Sequence, residues 1–158
     1  MEEGVRKQLL KKLQYGLYVM TAGKKENIAA GTMVWVSQCS FDPPMIMTGI
    51  RVESNLCAAV KEGQVFIVHF VGKSQKDVAA SFFTPSIIEA GSINGIPYSK
   101  GVTGAPVLES MAGYIECEVR EIVEKGDHAV VIGEILGGNL QNQESTLMLS
   151  DTDWCYES

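Results

Sequence analysis

At 158 residues the chain is the size of one domain, long enough to bury about two-thirds of the surface its unfolded form exposes. Hydrophobic residues make up 46% and charged residues 20%, which excludes a disordered chain, and the formal net charge is -6. Nucleic-acid binding needs clustered lysine and arginine. The one basic cluster, Arg6, Lys7, Lys11 and Lys12, reads as the wet face of a short helix, so no nucleic-acid partner is expected.

The opening MEEGVRKQLL starts with two acids and lacks the apolar core of a signal peptide. No apolar run approaches the roughly 20 residues that span a bilayer, so the expectation is a cytoplasmic chain with no membrane contact. Cys39, Cys57, Cys117 and Cys155 are scattered without C-x-x-C spacing, which gives no support to a zinc site or a redox dithiol.

Apolar Val5, Leu9, Leu10 and Leu13 fall at helical spacing and predict a short amphipathic helix over 5–14. YGLYVMTAG alternates and is rich in β-formers, so it predicts a strand ending in the turn GKKEN. IAAGTMVWVSQ is its hairpin partner. PMIMTGI makes the next strand, after a break at Asp42-Pro43-Pro44 where proline cannot donate to a ladder. ESNLCAAVKEG predicts a helix with Ser54 as N-cap and Gly63 as its stop. QVFIVHF reads as a strand buried on both faces, and SQKDVAASFF as a second helix with Ser74 as candidate cap.

Residues 84–105 are rich in Gly, Ser, Pro and Ile without a clear period and read as an irregular excursion. Beyond them, Tyr114, Glu116, Glu118 and Arg120 alternate with Ile115, Cys117 and Val119. Gly126-Asp127 marks a turn and HAVVIGEIL returns, giving a long antiparallel hairpin with one wet face. Strands outnumber helices and the hairpins are local. The expected fold is mainly β, an antiparallel barrel with helices at its ends, since closure removes exposed edges.

The stretch WVSQCSFDPPMIMTGI places Ser37, Gln38 and Ser40 at the end of an apolar strand. Three readings are open. They are rim residues bonding their own backbone, or a polar edge facing a flat heterocycle, or the setting of a serine or Cys39 nucleophile. The last has little behind it, because His69 and His128 sit in no hydrolase or cysteine-protease context. Arg51 stands just before the helix start at Ser54-Asn55, and a guanidinium beside a helix N-terminus suits a phosphate; a plain cap beside a surface arginine is the alternative. Neither G-x-G-x-x-G nor a P-loop is present.

The run YGLYVMTA…NIAAGTMVWVSQCSFDPPMIMTGIRVESNLCAAVKEGQVFIVHF…AASFF resembles the flavin reductase-like family, whose fold is the FMN-binding split barrel. The branch it is most similar to is that of flavoredoxin and the flavin domains of NADH:rubredoxin oxidoreductases. The resemblance continues through TGAPVLESMAGYIECEVREIVEKGDHAVVIGEIL and covers roughly 9–136. It implies FMN as cofactor. Thr32, Met33, Val34 and Trp35 then flank the isoalloxazine and ribityl chain, Ser37 and Gln38 meet the polar ring edge, and Arg51, Ser54 and Asn55 hold the phosphate, with Lys73 and Ser74 as further phosphate contacts. His128, in Gly126-Asp127-His128, is implied to orient the nicotinamide of NAD(P)H. As a strand-start residue after a hairpin turn it needs no such role. His69 reads as a core histidine, Cys39 as a bystander, and Phe82 and Phe83 as core.

The resemblance further implies a homodimer with FMN near the interface. Electrons pass from NAD(P)H to free flavin, rubredoxin or ferric iron, rubredoxin being a separate chain because no paired C-x-x-C follows the barrel. Two rival readings stand beside it: a non-enzymatic FMN electron carrier, and a cofactor-free barrel that binds a small ligand or a partner.

Overall fold

The structure, a computed structural model, describes residues 1–156. Helix α1 (Glu3–Leu10) is shorter than the apolar spacing predicts and buries none of its residues. Strand β1 (Tyr18–Ala22) pairs antiparallel with β2 (Ala29–Met33) through a turn at Gly23, where φ is +86° and an added Cβ would collide with the Asn27 carbonyl. The sequence reads 28–38 as one strand. The structure divides it, with β2 followed after Val34 and Trp35 by β3 (Val36–Ser40), which pairs with β4 (Met45–Arg51) instead. The chain changes partner there because the sheet curls round on itself. Its order is β2-β1-β5-β10-β11-β4-β3, with β5 (Val65–Phe70), β10 (Gly113–Glu124) and β11 (His128–Leu140), so the two end strands are consecutive in the chain. All six pairings are antiparallel. This is the expected split barrel, and its interior is packed by Met20, Ile50, Phe66, Val68, Cys117 and Val131, among others.

Helix α2 (Asn55–Gly63) starts on the predicted cap, the Ser54 hydroxyl accepting from the Cys57 amide. Its end differs. Gln64 takes the left-handed conformation at φ 55°, and Gly63 is the last helical residue. The glycine is there for clearance, since a Cβ would come within 3.0 Å of the Gly23 backbone. Helix α3 (Lys76–Ser81) is entered through Gln75. The predicted cap, Ser74, is spent elsewhere, its hydroxyl donating to the Glu144 carboxylate at 2.7 Å.

The 84–105 region is ordered. It forms β6 (Ile88–Glu89), β7 (Ser92–Ile93) and β8 (Ile96–Lys100), which join β9 (Pro106–Leu108) in a second antiparallel sheet. Strands this short leave no period to read. This sheet is pinned to the barrel by His69, fully buried on β5. The Leu108 amide donates to its Nε2 at 2.9 Å, so Nδ1 carries the ring proton and donates to the Val19 carbonyl at 3.0 Å. Burial lowers this histidine to about 4 and keeps it neutral, as a core histidine should be. Glu116 departs from the wet face expected of β10. It is 2% exposed, because Thr103 folds over it and donates both its amide and its hydroxyl to one carboxylate oxygen, each at 3.1 Å.

Candidate functional site

A cavity of about 790 Å³ opens where β2, the end of β4 and the start of α2 converge. β2 is an end strand, so one edge of its ladder needs other partners. They come from the chain around and after α3. The Thr32 hydroxyl donates to the Ala79 carbonyl at 2.6 Å, the Thr32 amide to the Phe82 carbonyl at 3.4 Å, and the Ser86 hydroxyl to the Ala30 carbonyl at 3.2 Å. The cavity is lined by this edge, by Val34 and Trp35, by 82–86, and by Leu149 and 154–156.

Its polar corner is the β4–α2 junction. Ser54 donates its hydroxyl to the Arg51 carbonyl at 2.7 Å while accepting from Cys57 at 3.1 Å, which holds the two elements in a fixed turn. The first-turn amides of Asn55 and Leu56 have no partner within the helix, no acidic residue lies in that turn, and the exposed Arg51 stands at the same lip. A helix N-terminus beside a guanidinium is a site for an anionic oxygen cluster. The remaining wall is largely aliphatic and aromatic.

A second cavity of about 500 Å³ adjoins the first, and Trp35, Arg51, Leu149, Trp154, Cys155 and Tyr156 line both. His128 opens β11 here. Its Nδ1 lies 2.9 Å from Asp127 Oδ1 and its Nε2 2.8 Å from the Tyr156 hydroxyl. The His128 hydrogen bond, with the charge an imidazolium would carry, holds the Asp127 carboxyl below the usual carboxylate range. The Trp35 ring lies 4.6 Å from the imidazole and 5.4 Å from the Tyr156 ring, centre to centre.

Of the residues singled out from sequence, Thr32, Met33, Val34, Trp35, Arg51, Ser54 and Asn55 come together on the first cavity, and His128 lies on the second. Met33 and Val34 are 8% exposed and mostly belong to the core. Ser37 and Gln38 line neither cavity. They are exposed on β3, bonded to the Gln38 and Ser40 carbonyls, which is the rim reading of those residues. Lys73 and Ser74 line neither cavity as well. The chain at Gly72 bridges to Thr146, and the neighbouring acids take both side chains, Asp151 at 3.9 Å for Lys73 and Glu144 for Ser74. Cys39 is exposed and away from both cavities.

Sequence reading missed 83–86 and 149–156 as lining. Phe83, expected in the core, is 54% exposed and meets the Trp154 ring edge-on at 4.7 Å, whereas Phe82 is core as expected. The available signal was the pair Trp154 and Tyr156 in an otherwise polar DTDWCYES.

The fold and the site together define an antiparallel split barrel with a cleft whose polar corner is a helix N-terminus beside Arg51. The chain matches the family described as flavin reductase like domain over residues 10–157, and it belongs to that family. It is 31% identical over 113 residues to the NADH:riboflavin 5'-phosphate oxidoreductase of Streptomyces pristinaespiralis, covering 71% of this chain and 61% of that protein. It is 27% identical over 130 residues to diflavin flavoprotein A 1 of Synechocystis, covering 82% of this chain and 23% of that one. The chain thus spans about a quarter to about three-fifths of the length of these curated relatives. Among solved structures, the NADH:FAD oxidoreductase of Streptomyces globisporus C-1027 superposes with a TM-score of 0.79 at 18% identity, over 93% of this chain and 89% of that one. No helix among the described residues is long and apolar enough to cross a membrane.

Proposed function

We propose that this chain is an NAD(P)H-dependent flavin reductase that holds FMN in the larger cavity and the pyridine nucleotide in the smaller one. The observation that carries this reading is the shared wall, with two ligand-sized cavities in contact at Trp35 and Arg51. The larger has a mononucleotide's size and donor pattern, and pockets for such ligands run from about 300 to 1,000 Å³. When bound, a flavin supplies the two-electron redox chemistry, and the protein supplies binding and orientation.

Arg51 and the amides of Asn55 and Leu56 hold the phosphate, with Ser54 fixing the turn that aims them. Residues 32–35 flank the ring and ribityl chain and exclude water from one side. His128 orients the nicotinamide. The electron acceptor is free flavin, a rubredoxin-type protein or ferric iron. The outer sheet face, where Met47 pairs with Ile132 and Val130 with Gly49, leaves Met47 41% and Val130 40% exposed and fits a two-fold dimer.

The test is the visible spectrum of protein supplied with FMN, followed by NADH or NADPH under argon. A bound-flavin band that either nucleotide bleaches supports the proposal. No bound flavin defeats the cofactor site, and a band that neither bleaches leaves an electron carrier.

A further inference from the structure

The segment that separates the two cavities has a property the reductase reading does not use. Upstream it is fastened by backbone: the Leu149 amide donates to the Tyr15 carbonyl at 2.8 Å, and the Leu147 amide to the Val71 carbonyl at 2.7 Å. Beyond Thr152 the Trp154 amide donates to the Thr152 hydroxyl at 3.1 Å and the Trp154 side chain packs against the core around Leu17 and Phe82, while the other ties among the described residues are made by side chains. Lys76 pairs with Asp153 at 2.7 Å and lies 5.0 Å from the Trp154 ring centre, and Phe83 packs edge-on against the same ring. Tyr156 then crosses to His128. The Asp153 carboxylate is largely in solvent, where such a pair contributes little. Tyr156 itself is 44% exposed, and its buried part is the contact with His128 and Trp35 that a ligand would have to replace.

His128 is the reason this matters. Its side chain is only 10% exposed, one ring nitrogen is taken by Asp127 and the other by the Tyr156 hydroxyl. An imidazole has two ring nitrogens and no third polar atom. While Tyr156 is in place, His128 has nothing left to offer a ligand, and the tyrosine ring stands against Trp35 at the junction of the two cavities.

We propose that Tyr156 is a latch, occupying the place of the incoming pyridine nucleotide on His128 and Trp35, and that the nucleotide must displace it to bind. The proposal rests on the assignment of the smaller cavity to that nucleotide. The cavity's chemistry agrees, because Lys7 and Arg51 line it together with the aromatic group, which suits a flat ring joined to a pyrophosphate. The latch sets a specificity threshold, since a ligand too small to replace both the hydrogen bond and the ring contact leaves the strap closed.

The experiment is calorimetric titration of the FMN-supplied protein with NAD+, the oxidised form, so that no turnover occurs. Wild type is compared with Tyr156→Phe and Tyr156→Ala, and FMN affinity is measured for each. The latch predicts that NAD+ binds about threefold tighter to Tyr156→Phe and about tenfold tighter to Tyr156→Ala, the first losing one hydrogen bond and the second the ring as well. FMN affinity is measured for each variant because Tyr156 also lines the larger cavity, and the latch is read from NAD+ affinity at saturating FMN. Trp35 touches the strap and Trp154 lies in it, so opening adds to the fluorescence change that NAD+ causes, and that change is smaller in Tyr156→Ala. NAD+ binding that is unchanged or weaker in Tyr156→Ala overturns the latch, making Tyr156 a neutral or stacking residue, and leaves the reductase reading standing. No NAD+ binding by any of the three proteins overturns both.

Discussion

Replacing His69 by glutamine removes the one buried titrating ring that ties the barrel to the second sheet. The folded ring sits at about 4 against an ordinary 6.5, so the unfolded chain binds its proton more tightly. The stability this residue contributes is therefore complete above pH 6.5 and is lost as the pH falls toward 4. Integrating between those two values, wild type loses about 2–3 kcal/mol from this group between about pH 7.5 and about pH 4.5. Carboxylates elsewhere titrate too, but they do so equally in both proteins, so the difference between wild type and His69→Gln isolates the ring. Urea unfolding at the two pH values is the assay. At about pH 7.5 the variant is less stable by about 1–3 kcal/mol, because glutamine cannot serve both the Leu108 amide and the Val19 carbonyl at the imidazole's geometry. By about pH 4.5 the difference moves about 2–3 kcal/mol in the variant's favour, so that the gap closes or reverses. A gap that stays constant over the range refutes the reasoning, since the ring would then titrate alike in folded and unfolded chains.

Arg51→Ala weakens FMN binding by about tenfold or more but leaves riboflavin binding unchanged, because the lost partner is a phosphate contact; equal losses for both flavins remove Arg51 from the phosphate site. Gly133→Ala costs about 1–3 kcal/mol in chemical denaturation, since the new methyl would fall 2.9 Å from Cys117 Cβ and against the Phe66 ring; a neutral result means the core yields there. With a disulfide-exchange reagent, Cys39 and Cys155 react quickly in the native protein. Cys57 and Cys117 react only after unfolding, burial raising the first thiol and pushing the second up to about 12. Fast reaction of all four refutes the buried placement. Replacing Met47 and Val130 together by glutamate yields a monomer by light scattering if that face joins two copies, and an unchanged mass removes it as the interface.

The sequence by itself determined the strands and helices whose period is long enough to read. The β-formers of 18–22, the alternation of 45–51, the buried run of β5 and the two long strands around Gly126-Asp127 specify an antiparallel β protein. Ser54 was legible as a cap because a hydroxyl before a helix has one local task. The grouping of Arg51, Ser54 and Asn55 on one cavity was legible for the same reason, since they lie within five consecutive residues.

Tertiary structure decided everything that depends on which strand lies beside which. Ser37 and Gln38 follow Trp35 closely in the chain, yet the change of partner at Val34 and Trp35 puts them on the far edge of the sheet, away from the cavity. Glu116 keeps strict alternation with its neighbours and is still buried, because the 101–105 loop returns over it. The wall between the two cavities joins residues 35, 51, 149 and 156, a span of more than a hundred positions that no local pattern encodes. Short-range order is written in side-chain period and capping chemistry. Long-range contacts are selected by closure of the barrel, and only the closed sheet brings Tyr156 to His128.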